Sequence, residues 1–105
     1  DKKIKNNGID ISASKGDKAR AVFDGKVTGV VSIPGAGKAV IVRHGEYLTV
    51  YSNLSEVYVK TGDTVKTKQN IGLINTDEEE NKTEMHFEIW FGKVLTDPEN
   101  WLLPN

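Results

Sequence analysis

The sequence predicts an all-β fold, a sandwich or barrel of short, mostly antiparallel strands. Turn signals such as Lys15-Gly16-Asp17, Asp24-Gly25 and Thr61-Gly62-Asp63 recur along the chain, spaced about eight to twelve residues apart. Between them lie β-branched or alternating runs, the clearest being Ala39 to His44 (AVIVRH) and Glu84 to Trp90. No segment holds a helical period over two turns.

Taken in order, Gly8 to Ser12 alternates and reads as a first strand, after a polar entry over Asp1 to Lys5. Ala19 to Phe23 is a second, and Asp24-Gly25 marks a tight hairpin into Lys26 to Ile33. Pro34 to Gly37 is a loop before Ala39 to His44, and Gly45-Glu46 turns the chain into Tyr47 to Tyr51. The polar run Asn53-Leu54-Ser55-Glu56 reads as a turn or a single helical turn. Val57 to Lys60, Thr64-Val65 and Asn70 to Ile74 are further short strands, and Thr76 to Thr83 (TDEEENKT) reads as a mobile, solvated acidic loop. In the strand that follows, Glu84, His86 and Glu88 share one face, and Met85, Phe87 and Ile89 the other. A carboxylate and an imidazole side by side form one corner of a metal or acid/base site. In the tail, Trp101 and Leu102 are expected to pin the chain end to the fold.

A chain of 105 residues forms one domain with a single core. The 37% hydrophobic and 28% charged residues are ordinary for a folded domain and argue against disorder. A net charge of -1 without a basic block lacks the electrostatic footprint of a nucleic-acid binder. With no cysteine, disulfides and thiolate metal sites are excluded, and the redox compartment stays open. No apolar run is long enough to span a bilayer. Residues 1–105 are expected to be one domain of a longer protein, since the chain opens directly on motif-like sequence.

These pieces, in this order, resemble the LytM (lysostaphin-type) metallopeptidase domain, whose fold is the duplicated hybrid motif. Asn6-Asn7-Gly8-Ile9-Asp10-Ile11 resembles H-x-G-x-D-[IL], and Asp24-Gly25-Lys26-Val27 resembles D-G-x-V. Ala39 to Gly45 with Thr49 to Ser55 resembles V-x-I-x-H-G followed by T-x-Y-x-H-L-S. Val59 to Val65 resembles V-K-x-G-D-x-V, Asn70-Ile71-Gly72 the x-I-G element, and Glu84 to Glu88 H-L-H-F-E. The match covers nearly the whole chain.

The departures bear on function. In active members of the family, zinc is held by the His and Asp of H-x-G-x-D and by the second His of H-x-H. The other two histidines handle protons and stabilise the tetrahedral intermediate. The resemblance therefore places Asn6, Asp10 and His86 at ligand positions and Asn53 and Glu84 at proton-handling positions. Three of these five depart from the family pattern: Asn6, Asn53 and Glu84. A catalytic zinc needs about three protein ligands, and a neutral amide is a poor substitute for imidazole. No catalytic residue, metal or other cofactor is thus expected. The segments TVYSNLS, KTEMHFEIW and DPENWL narrow the resemblance to the degenerate domains of EnvC-type murein hydrolase activators.

That resemblance implies a periplasmic or exported regulator. Its partner would be a cell-wall amidase (an N-acetylmuramoyl-L-alanine amidase), which it engages through a helix laid in the vestigial groove. Ala39, Tyr51, His86 and Trp90 are expected to line that groove. Plainer roles stand beside these: Asp10 bonding backbone in a turn, Asn53 capping one, His86 packed in a cleft, Trp90 covering a core edge. His44 is expected to be structural. The alternatives in other classes are a zinc-dependent endopeptidase rebuilt on Asp10, Glu84 and His86, and a module that binds peptidoglycan alone. A lysine-modified carrier domain is a further one, its nearest approach being Asp17-Lys18-Ala19.

Overall fold

The computed structural model describes residues 8–91 and the backbone of 94–96. Among the described residues every regular element is a strand and every pairing antiparallel, as predicted. The elements are β1 (Ile9–Ala13), β2 (Lys18–Arg20), β3 (Gly25–Ile33), β4 (Gly37–His44) and β5 (Tyr47–Val57). They continue with β6 (Thr64–Val65), β7 (Asn70–Ile74), β8 (Thr76–Asp77), β9 (Lys82–Phe91) and β10 (Val94–Thr96). The main path runs β1-β9-β5-β4-β3-β6 and is not closed into a barrel; β2 and β7 pair to one side, with β7 also on β5.

β9 lies at the centre of these pairings because its alternation suits both its faces. Met85, Phe87 and Ile89 are buried, while Glu84, His86, Glu88 and Trp90 stay half-exposed on the opposite side. The buried set packs with Val27, Val40, Val42, Tyr51, Leu54 and Ile71 into one core. Each large apolar side chain removed from water there contributes roughly 1.5–3 kcal/mol. The rings of Tyr51 and Phe87 meet in a tilted contact with centroids 5.3 Å apart.

Three local expectations are corrected. Asn53 to Glu56 is not a turn, because β5 runs through it and pairs onward with β7. Asp24-Gly25 does not close a hairpin, since β2 pairs with β7 and β3 with β4 and β6. The acidic segment is a short β8–β9 hairpin, in which the Asp77 carboxylate accepts the N–H groups of Glu79 and Glu80. Trp101 and Leu102 lie outside the described residues.

Candidate functional site

β1 and β9 build the core of the site. Their register sets Asp10 opposite His86, and β5 sets Ser52 opposite His86 from the other side. Close approach at the start of β1 depends on Gly8. A Cβ there would sit 2.4 Å from the Phe87 carbonyl oxygen and 2.6 Å from Glu88 Cγ, at a φ of +106° that side chains rarely adopt.

Both ring nitrogens of His86 face carboxylates. Nδ1 lies 2.8 Å from Asp10 Oδ1, and Nε2 lies 2.9 Å from Glu88 Oε2. The other Glu88 oxygen accepts the indole N–H of Trp90 at 2.9 Å. An imidazolium donates to both carboxylates, whereas a neutral ring donates to only one. Asp10 is the more exposed partner and its pairing adds little to stability. The Glu88 side chain is only 20% exposed, so it anchors the ring more firmly.

Asn53 sits beside His86 on a bulge of β5 against β4, with φ at +67°. Its Nδ2 donates to the Glu84 backbone carbonyl at 2.7 Å, and its own carbonyl accepts the Asn75 N–H at 2.9 Å. Asparagine tolerates the left-handed conformation better than most residues. The Glu84 carboxylate turns towards Lys82 Nζ, 3.6 Å away. The floor of Asp10, Ser52, Asn53, Glu84, His86 and Glu88 borders a cavity of about 490 Å³, and the β3–β4 hairpin tip (Ile33, Gly35, Ala36) forms one wall.

Of the residues singled out from the sequence, Asp10, Asn53, Glu84 and His86 come together here. Trp90 shares their side of β9 and is tied to them through Glu88. Asn6 lies outside the described residues. Tyr51 and Ala39 do not line the groove, contrary to expectation: they are 0% and 1% exposed, within the core. The Tyr51 hydroxyl instead accepts the Val22 N–H at 3.0 Å and lies 3.0 Å from Thr49 Oγ1. Burial pushes its phenol above the ordinary value of 10.0, against the lowering effect of those two hydrogen bonds. His44 spans the Asp24 carbonyl (2.7 Å) and Thr49 Oγ1 (2.8 Å), away from the groove. Glu88 was missed as a site residue, although its parity with His86 signalled a shared face.

The donor set can be tested against a catalytic zinc, which takes about three protein ligands with one open position. Asp10 and His86 offer two facing donors. Among the described residues no group of three His, Asp or Glu side chains could hold a metal ion. The described set does not fit that ion.

Residues 4–98 match the model of peptidase family M23. The chain belongs to this family. The M23 match spans β1 with Asp10, the β5 bulge with Asn53, and all of β9 with His86, and it confirms the LytM-type resemblance drawn from the motifs. An uncharacterized metalloprotease of Haemophilus influenzae is 37% identical over 99 residues, covering 92% of this chain and 21% of that protein. The murein hydrolase activator EnvC of Escherichia coli is 29% identical over 96 residues, covering 90% of this chain and 23% of EnvC. Among solved structures, Csd3 of Helicobacter pylori superposes with a TM-score of 0.81 at 25% identity, over 93% of this chain and 27% of Csd3. The chain therefore spans about a fifth to a quarter of the length of these M23 relatives.

Proposed function

We propose that this M23 domain is a non-catalytic module of the cell envelope that binds and activates a cell-wall N-acetylmuramoyl-L-alanine amidase through its groove. Its setting would be peptidoglycan remodelling and cell division, outside the cytoplasm. The observation that carries the proposal is the state of the polar groups at the groove. His86 has a carboxylate on each ring nitrogen, and the Asn53 amide is committed to the Glu84 carbonyl. Metal-assisted hydrolysis needs an activated water and a group to move its proton, and an amide does neither. What remains is an open, preformed cleft of about 490 Å³ with a fixed floor, suited to an occupant rather than a reaction. A helix laid by one face into such a cleft is a recurrent mode of recognition. The name of EnvC, murein hydrolase activator, supports the same reading.

A second reading, a residual zinc-dependent peptidoglycan endopeptidase, draws on the Haemophilus relative named as a metalloprotease and on the facing Asp10 and His86 atoms. Elemental mass spectrometry separates the two. Protein purified without chelator and then incubated with zinc is expected to retain no stoichiometric metal. About one tightly held zinc per chain, with metal-dependent cleavage of peptidoglycan peptides, would overturn the proposal.

A further inference from the structure

The groove does not end at Asn53. A second cavity of about 580 Å³ lies against the β8–β9 hairpin and shares Gly35, Asn53 and Glu84 with the first. The two make one continuous channel, from His86 and Glu88 past Asn53 to the hairpin.

Its charge is out of proportion to the chain. Asp10, Glu84 and Glu88 line the first part, and the acidic residues at 77–80 add four more along the second. Seven of the 15 carboxylates of the sequence thus border the channel, against one of its 14 lysines and arginines, Lys82. Some are satisfied internally: Glu84 by Lys82 at 3.6 Å, Glu78 by Lys15 at 3.0 Å, and Asp10 and Glu88 by His86. Among the described residues no cationic side chain pairs with Glu79 or Glu80, which stand exposed on the rim. In the first part of the channel the β3–β4 hairpin offers carbon, with Ile33 38% exposed.

We infer that the occupant of this channel is an amphipathic helix of the partner protein with a cationic face, its lysines or arginines laid along the β8–β9 hairpin and its apolar side against Ile33. This rests on the groove-binding reading above and adds the chemistry of the partner to it. A potential of one sign along a cleft raises the encounter rate with the opposite charge and rejects like charge. It also makes binding sensitive to salt, since exposed charges are screened over about 10 Å at 0.1 M.

The test uses the chain itself and three amidated 18-residue helical peptides with one leucine stripe, their polar faces carrying lysine, glutamine or glutamate. Binding is followed by fluorescence anisotropy. The lysine peptide is expected to bind on the order of tenfold tighter than the glutamine peptide at low salt, and the glutamate peptide weakest. Raising the salt should erase that order. The double variant Glu79→Lys with Glu80→Lys should remove the lysine advantage. Glu46→Lys with Glu56→Lys, equal in net charge and exposed away from the channel, should keep it. Equal affinity for all three peptides, or equal loss in both double variants, overturns the inference. Failure of the groove reading looks different: binding of every peptide would be indifferent to Ser52→Trp, which fills the channel floor. Capture of the chain by purified sacculi, with no lysine-peptide competition, would assign the channel to the wall instead and overturn the inference as well.

Discussion

Tyr51 is held by its hydroxyl as much as by its ring. The Asp24 carbonyl can only accept, so His44 Nδ1 carries the proton and Nε2 accepts from Thr49. Thr49 Oγ1 also lies in hydrogen-bond contact, 3.0 Å, with the Tyr51 oxygen, which accepts the Val22 N–H. Among the described residues no buried side-chain nitrogen or oxygen lacks a partner, so the chain closes without waste. Tyr51→Phe leaves the Val22 N–H and Thr49 short of partners and should destabilise the fold by about 1–3 kcal/mol, measured by urea denaturation, with binding in the groove unchanged. Tyr51→Ala would open a core cavity costing about 3–5 kcal/mol, which makes it a test of folding and not of recognition. The phenol also sets an alkaline limit. Its folded pKa is raised, so the stability it supports is full below pH 10.0 and falls above it, as the unfolded chain ionises first. Asp24 works in the opposite sense. The Thr67 N–H and hydroxyl hold its carboxylate below the ordinary 3.8, so its contribution is present above that pH and fades as pH falls below it. A urea-midpoint series across pH checks both arms.

At the level of elements, the β5 bulge explains both what was legible in the sequence and what was not. In TVYSN strict alternation puts Thr49, Tyr51 and Asn53 on one face, so a site role for Asn53 draws Tyr51 to the groove with it. The positive φ at Asn53 breaks the parity, leaving Tyr51 in the core and both Ser52 and Asn53 on the cavity. Ala39 fails for the same reason: opposite the bulge the register shifts between Lys38 and Val40, and Ala39 and Val40 are both buried. Where no bulge intervenes, as in β9, alternation assigned both faces correctly. Asn53→Ala loses the bond to the Glu84 carbonyl and strains the left-handed backbone, and should destabilise by about 1–3 kcal/mol. Asn53→Gly relieves the strain and should do less harm; thermal melts of the pair give the order. At the other side of the site, Gly8→Ala drives a methyl into the Phe87 carbonyl. It should destabilise the chain by about 1–3 kcal/mol and perturb the His86 ring resonances in NMR spectra.

Across the whole molecule, local pattern identified strands but not their partners. The tight turn expected at Asp24-Gly25 fails because β2 finds its neighbour in β7, some fifty residues on, and nothing in the local sequence specifies that pairing. The Asp24 side chain instead ties the bend to Thr67. The acidic run at 77–80 was legible as solvated, but its place on the rim of the groove follows only from the β8–β9 pairing and the third dimension. Composition, with a net charge of -1, conceals that concentration entirely. The family motifs carried further than periodicity did, because they bring Asp10 and His86 together across 76 positions of sequence.

On the proposed function, the groove binds and activates without cutting. Release of soluble fragments from dye-labelled sacculi measures this most directly, with the chain alone, a panel of purified cell-wall amidases alone, and the two together, in the presence of zinc. No release is expected from the chain alone, enhanced release when it is added to a responsive amidase, and loss of the enhancement in Ser52→Trp. Zinc-dependent release by the chain alone, or enhancement that survives Ser52→Trp in a folded protein, would contradict the proposed function.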